Sequence, residues 1–317
     1  MIVVLFLLLL SVLIALGPRV SLNTRFSVTE LPDDLDDYLS ITEAQCLDIT
    51  PGAEKFIEWF DPVAKQKTPL AFVYLHGFSA TRQESVPVPG AIAKQLKSNI
   101  FYTRLAGNGR SDDAMAQGSV NGWINDASEA MAIANRIGER TIIIGCSTGA
   151  SLGWWTANQP EFRDQIDALV FFSPNFGVKD PRANILLYPW GAQIAEAIIG
   201  KYLESPPVNE AHRKYWACRY PTRALLPMMG MVRLCTKIKA SSATVPVYIL
   251  YSPYDDTVDA GKISDFIEQL ETEKHVQVID DPHAQSQHVL IGDILSPHNN
   301  QQVIDAVVEF ISKLKTR

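Results

Sequence analysis

Five residues, Gly145-Cys146-Ser147-Thr148-Gly149, constrain this chain more than any other stretch. They follow the β-branched apolar run Arg140-Thr141-Ile142-Ile143-Ile144, which reads as a buried strand. They precede Ala150-Ser151-Leu152-Gly153-Trp154-Trp155-Thr156-Ala157, the opening turns of a packed helix. A strand that passes into a helix across Gly-x-Ser-x-Gly must turn sharply. Gly145 and Gly149 let strand and helix run close together, and Ser147 is left on a strained turn with its hydroxyl exposed at the top of a sheet. Gly-x-Ser-x-Gly also occurs in ordinary loops; the flanking strand and helix are what give it weight.

The rest of the chain alternates in the same manner. Strands are expected at 54–60, 70–75, 100–105, 166–172, 245–251 and 276–279. Helices are expected at 88–96, 123–137, 263–270 and 299–314, the last with Ser296 as N-cap and Pro297 at its first position. This order predicts an α/β fold, a doubly wound and mainly parallel sheet. The alternation breaks between Asn175 and about Ala240, where prolines interrupt short helices rich in Met and aromatic residues. Such an insertion just past a sheet edge predicts a helical cap over 176–240, inserted between core segments 54–175 and 241–317. Its Met and aromatic side chains form the core of a small subdomain, and some of them suit an apolar acyl pocket.

Residues 1–20 carry an unbroken apolar run from Ile2 to Leu16, interrupted only by Ser11. It is short for a spanning helix and suits a signal peptide or an N-terminal anchor, which predicts membrane association through residues 2–16 or export, with the side of the membrane open. Residues 21–53, with Asp33, Asp34, Asp36 and Asp37, read as an exposed acidic lead-in. The net charge of −7 and the lack of a basic patch argue against nucleic acid as a partner. The four cysteines show no metal-binding spacing.

A serine hydroxyl is a weak nucleophile until a base removes its proton, and that base needs a carboxylate to fix its tautomer. Around an elbow of this kind the carboxylate and then the histidine follow the serine, on loops beyond strand ends. Asp255 stands just after the strand at 245–251, with Asp256 as its competitor. His288 lies in the loop before the last helix; His283 and His298 are the alternatives. Two backbone N–H groups must face the charge that develops on an attacked carbonyl. Thr148, next to the nucleophile, supplies one, and Phe78 in His76-Gly77-Phe78 supplies the other. Gly77 lets that loop curl in, and His76 is a loop support rather than a base.

With His76-Gly77-Phe78, Gly107-Asn108-Gly109-Arg110-Ser111, the Ser147 elbow, Asp255 and His288 in this order, the chain resembles the α/β-hydrolase superfamily over about residues 54–314. It is most similar to carboxylesterases and to monoacylglycerol-lipase or lysophospholipase-like serine hydrolases, which carry a helical cap. In that superfamily the first acid of a segment like Asp255-Asp256-Thr257-Val258 carries the role. The resemblance implies a Ser147–His288–Asp255 triad acting on a small-molecule acyl ester, lipid-like in view of the apolar cap, with no metal or organic cofactor. Thioester, lactone or amide cleavage on the same triad is the alternative, as is a silent membrane-tethered binding protein. One departure stands out: Asn108 occupies the middle of a segment that is usually Gly-His-Gly.

Overall fold

A computed structural model describes residues 2–314. Its elements in chain order are α1 (Ile2–Ala15), α2 (Leu35–Glu43), β1 (Phe56–Glu58), β2 (Thr68–Leu75), α3 (Val88–Gln95), β3 (Asn99–Tyr102), α4 (Val120–Ile137), β4 (Gly138–Cys146), α5 (Thr148–Ala157) and β5 (Ile166–Phe172). Then follow α6 (Gly191–Ile199), β6 (Tyr202–Glu204), α7 (Glu210–Tyr215), β7 (Arg219–Pro221), α8 (Leu225–Cys235), β8 (Val247–Tyr251), α9 (Ala260–Gln269), β9 (Lys274–Val278) and α10 (Asn300–Ser312). Seven strands form one sheet in the order β1-β3-β2-β4-β5-β8-β9. Only β1 runs antiparallel to its neighbour; the other pairs are parallel.

Side chains of successive strand residues point to opposite faces, so a sheet covered on both sides needs apolar residues at every position. The central strands obey this. Ala71, Val73, Leu75, Ile143, Leu169, Phe171 and Ile249 join one core with Trp123 and Ile124 of α4 and Trp154 of α5. Phe72, Tyr74, Ile142, Ile144, Val170, Phe172 and Leu250 join the other, with Ile92 of α3 and Val303, Val307 and Phe310 of α10. The doubly wound sheet expected from the sequence is therefore present, and every helix of its two layers lies within a few residues of its expected place.

The stretch between β5 and β8 carries α6, α7 and α8, together with a two-stranded ribbon of β6 and β7 that the sequence pattern did not announce. These strands are three residues long, too short for an alternating pattern to register. Met228, Met229 and Met231 of α8 are buried against the main core.

The lead-in departs from the expected exposed segment. Helix α2 buries Leu35 and Leu39 in the core. Its Glu43 forms a two-pronged pair with Arg104, at 2.8 Å from both Nε and Nη2, and also accepts the Lys55 amide at 2.9 Å. Lys55 Nζ in turn meets Glu129 of α4 at 2.5 Å, and the Tyr38 hydroxyl donates to Glu129 at 2.7 Å. The cluster of Asp33 to Asp37 hid this helix in the sequence; Asp34 serves as its N-cap, accepting the Asp37 amide at 2.9 Å.

The apolar start forms α1, 14 residues long. Among the described residues no helix is long and apolar enough to cross a membrane. The expected ends at Met1 and at residues 315–317 lie outside the described residues. The helix leads to the cap: the Trp190 indole donates to Leu13 O and the Trp190 amide to Pro18 O, both at 2.9 Å.

Arg104 and Glu43 are 6% and 8% exposed, so removing one partner leaves the other's charge buried. Arg104→Ala is expected to lower the unfolding free energy by about 3–5 kcal/mol in guanidinium titrations. Adding Glu43→Leu to it should recover part of that loss, because the orphaned charge is then gone.

Candidate active site

The turn after β4 holds Ser147 at φ 50° and ψ −116°, a conformation that side chains other than glycine's rarely adopt. The turn is over-determined from both sides. The Ser147 amide donates to Phe172 O at the end of β5 at 2.9 Å, and the Asn175 amide donates to Ser147 O at 3.1 Å. Gly145 and Gly149 are glycine for a reason of space. A Cβ on Gly149 would lie 2.0 Å from Leu75 O, and one on Gly145 would lie 2.6 Å from the Ala150 Cα. The start of α5 is thus pressed against the end of β2, beside the loop that begins at His76.

Three side chains from separate strand ends meet at this turn. The Asp255 carboxylate, fully buried after β8, accepts the Thr257 and Val258 amides on Oδ1, both at 2.8 Å. Its Oδ2 lies 2.8 Å from His288 Nδ1. Since a carboxylate only accepts, Nδ1 carries the proton, and the Nε2 lone pair faces Ser147 Oγ at 2.9 Å. Burial works against the charged form of His288, but the hydrogen bond and charge of Asp255 outweigh it and raise its pKa above 6.5. The Asp256 carboxylate is exposed and accepts the neighbouring Thr257 hydroxyl at 3.0 Å. His283 and His298 are exposed. The structure therefore brings together Ser147, His288 and Asp255, and leaves the alternatives outside.

The His76 loop is held by its peptide groups. Leu105 N–H donates to His76 Nε2 at 2.9 Å, so Nδ1 carries the proton and donates to Gly77 O at 2.8 Å. That carbonyl belongs to the Gly77–Phe78 peptide, so His76 sets the direction of the Phe78 N–H. Burial pushes His76 down to about 4, which keeps this neutral tautomer in place at working pH. A Cβ on Gly77 would lie 3.4 Å from the Ser147 Cβ, which places the loop directly against the Ser147 turn. The Phe78 ring is gripped edge-on by Trp123 of α4 and Tyr220 of β7, at 6.4 and 5.3 Å between centroids. The cap also reaches the loop through the Ala217 amide, which donates to Ser79 O at 2.8 Å.

Several supports were not legible in the sequence. The Ser173 hydroxyl donates to His288 O at 2.6 Å and anchors the histidine loop to β5. Glu84, 2% exposed, accepts the Gly77 amide at 2.6 Å and the Tyr74 hydroxyl at 2.8 Å. Burial pushes its carboxyl up to about 7. Nothing in the sequence separates Ser173 or Glu84 from a surface serine or a solvated charge. Asn108, at the place of the usual histidine, turns its amide to Leu105 O and Ala106 O at 3.3 and 3.4 Å, and so braces its own loop. Burial and the Glu84 charge hold the Cys146 thiol well above its ordinary range, so it stays protonated. All four cysteines are free. Among the described residues no group of His, Cys, Asp and Glu is arranged to hold a metal ion.

A methyl group at Gly149 has backbone rather than a flexible side chain in its way. Gly149→Ala is expected to cost roughly 3 kcal/mol or more of stability, read as a lowered thermal midpoint, because β2 and α5 must part.

No protein-family profile matches the chain, and no curated protein is significantly similar to it. Solved structures do resemble it. A structure described under LipS and LipT, two metagenome-derived lipolytic enzymes, aligns at TM-score 0.66 and 17% identity, covering 84% of this chain and 99% of that one. The monoacylglycerol lipase of Paleococcus ferrophilus aligns at TM-score 0.58 and 16% identity, covering 82% and 98%. An alpha/beta hydrolase fold protein from Chitinophaga pinensis aligns at 0.53 and 11%, covering 82% and 93%. At such identities the likeness speaks to architecture, and with the sheet order and the capped insertion it shows that this chain has the α/β-hydrolase fold.

Proposed function

We propose that the protein is a serine hydrolase that cleaves carboxylic esters with lipid-like acyl groups through an acyl-enzyme. The observation that carries this reading is His288, whose two ring nitrogens lie within 2.9 Å of Ser147 Oγ and Asp255 Oδ2. Such an imidazole takes the serine proton as Oγ attacks the acyl carbonyl, while Asp255 holds the ring and stabilises the imidazolium. The Phe78 and Thr148 amides receive the oxyanion. Collapse of the intermediate breaks the bond to the alcohol, which leaves with the proton from His288. Water then gives a proton to His288 and attacks the acyl carbon, and Ser147 recovers its proton as the acid departs.

The surroundings support an apolar acyl group. Phe78, Tyr220 and Trp123 cluster at the loop beside the nucleophile, and Met228 of α8 lies 3.4 Å from the Asn175 amide next to Thr148. The solved neighbours described as lipolytic enzymes and a monoacylglycerol lipase support the same substrate class. A fluorophosphonate probe is expected to label the wild type and not Ser147→Ala. The same variant should lose p-nitrophenyl butyrate hydrolysis by roughly 10³-fold or more, and the wild type should favour butyrate over acetate. Equal turnover by the variant would falsify the triad.

Association with a lipid surface through α1 is the second part of this reading. Ile2, Leu5, Leu8 and Leu9 are exposed, and the run is apolar throughout except for Ser11, so the helix suits insertion into the hydrocarbon region, although at roughly 21 Å it is shorter than a core of about 30 Å. The full chain should float with phosphatidylcholine liposomes, and a chain lacking residues 2–16 should stay in the dense fraction. Flotation of both would count against α1.

A further inference from the structure

We propose that Glu84 is a positioning residue for this reaction: its buried carboxyl group fixes the amide that leads into the oxyanion loop and, from its place beside the Ser147 turn, favours the protonated form of His288. The inference rests on the hydrolase reading above. Three observations converge on it.

The first is placement. Glu84 lies in a single turn between β2 and α3, yet its side chain points back under the loop that begins at His76. A Cβ on Gly77 would sit 2.9 Å from Glu84 Oε2 and 3.4 Å from the Ser147 Cβ. The carboxylate and the nucleophile therefore flank the same glycine.

The second is division of labour at Gly77. Its N–H is taken by Glu84 at 2.6 Å and its C=O by His76 at 2.8 Å. Two consecutive peptide planes are thus fixed from outside, and the second of them carries the Phe78 N–H. A loop with free rotation at glycine would otherwise have to be ordered at each turnover. Glu84 is itself pinned by Tyr74, whose hydroxyl also lies 2.6 Å from the Ser85 hydroxyl.

The third is charge. The titratable groups around Glu84 are Tyr74 on β2, Cys146 at the end of β4 and His288 on the last loop. Burial and the Glu84 charge push Tyr74 and Cys146 further up, so both stay neutral. That leaves His288 as the group that exchanges charge with Glu84 near neutral pH. The catalytic cycle protonates His288 once for each attack, and a carboxylate nearby favours that protonated form.

Two variants separate the two roles. Glu84→Gln keeps an acceptor for Gly77 and removes the charge; Glu84→Asp keeps the charge and shortens the reach. His288 is followed by NMR titration of its imidazole, and kcat/KM against pH with p-nitrophenyl butyrate. In Glu84→Gln the imidazole titration and the acid limb of kcat/KM should both move to lower pH, by about half a unit. In Glu84→Asp the titration should hold its place while kcat falls roughly tenfold with KM little changed. Should Glu84→Gln not fold, Tyr74→Phe takes one donor from the carboxylate and should shift the His288 titration the same way. An unmoved His288 titration in Glu84→Gln and Tyr74→Phe, or wild-type kcat in Glu84→Asp, overturns the proposal. A wild type that is unlabelled and inactive, but whose His288 titration still shifts in Glu84→Gln, sinks the hydrolase reading and leaves the Glu84–His288 coupling standing.

Discussion

The backbone at Ser147 is held where a serine would not rest by choice, and the carboxyl edge of the sheet is organised around that fact. A φ of 50° is tolerated because the ends of two neighbouring strands and the loop after one of them fix the turn. β5 accepts the Ser147 amide, the Asn175 amide caps its carbonyl, and the end of β2 presses on Gly149. Strain of order 1–3 kcal/mol persists only when the surroundings outweigh it, and here they are buried strand ends. The same compression brings the His76 loop against Ser147. The Ser147 turn and the His76 loop are one packing unit, and neither is set without the other.

Around that unit the electrostatics are arranged by burial as much as by partners. Burial keeps His76 neutral, and so a reliable donor to the Gly77 carbonyl. Burial also works to lower the His288 pKa, but the hydrogen bond and charge of Asp255 raise it instead, so the two histidines beside Ser147 take opposite parts. The chief difference is the Asp255 carboxylate. Asp255 can supply it because its second oxygen is already satisfied by the Thr257 and Val258 amides.

The cap and the lead-in act on the site from a distance. The cap grips the Phe78 ring and bonds Ser79, so its ribbon is continuous with the His76 loop rather than merely lying above it. The lead-in reaches the strand end beside His76 through Glu43 and Arg104, one residue before the Leu105 amide that fixes the His76 ring. A segment that looks like solvent-exposed acid in the sequence therefore bears on the tautomer of a buried histidine.

The local grammar of the chain determined the fold class, because it is written in periodicity. β-branched runs separated by helical stretches can bury themselves only as a doubly wound sheet, and Gly-x-Ser-x-Gly between strand and helix has one tight way to turn. The order of serine, acid and histidine on loops after strands was legible for the same reason. Tertiary structure alone decided which of Asp255 or Asp256, and which of three histidines, meet at Ser147. Those choices depend on which side chain the loop turns inward. It alone revealed α2, whose buried Leu35 and Leu39 are masked by the surrounding aspartates, and the short β6–β7 ribbon. Glu84 and Ser173 were beyond the sequence altogether: their meaning lies in what surrounds them, and a single chain of letters records neighbours along the backbone but not across the fold.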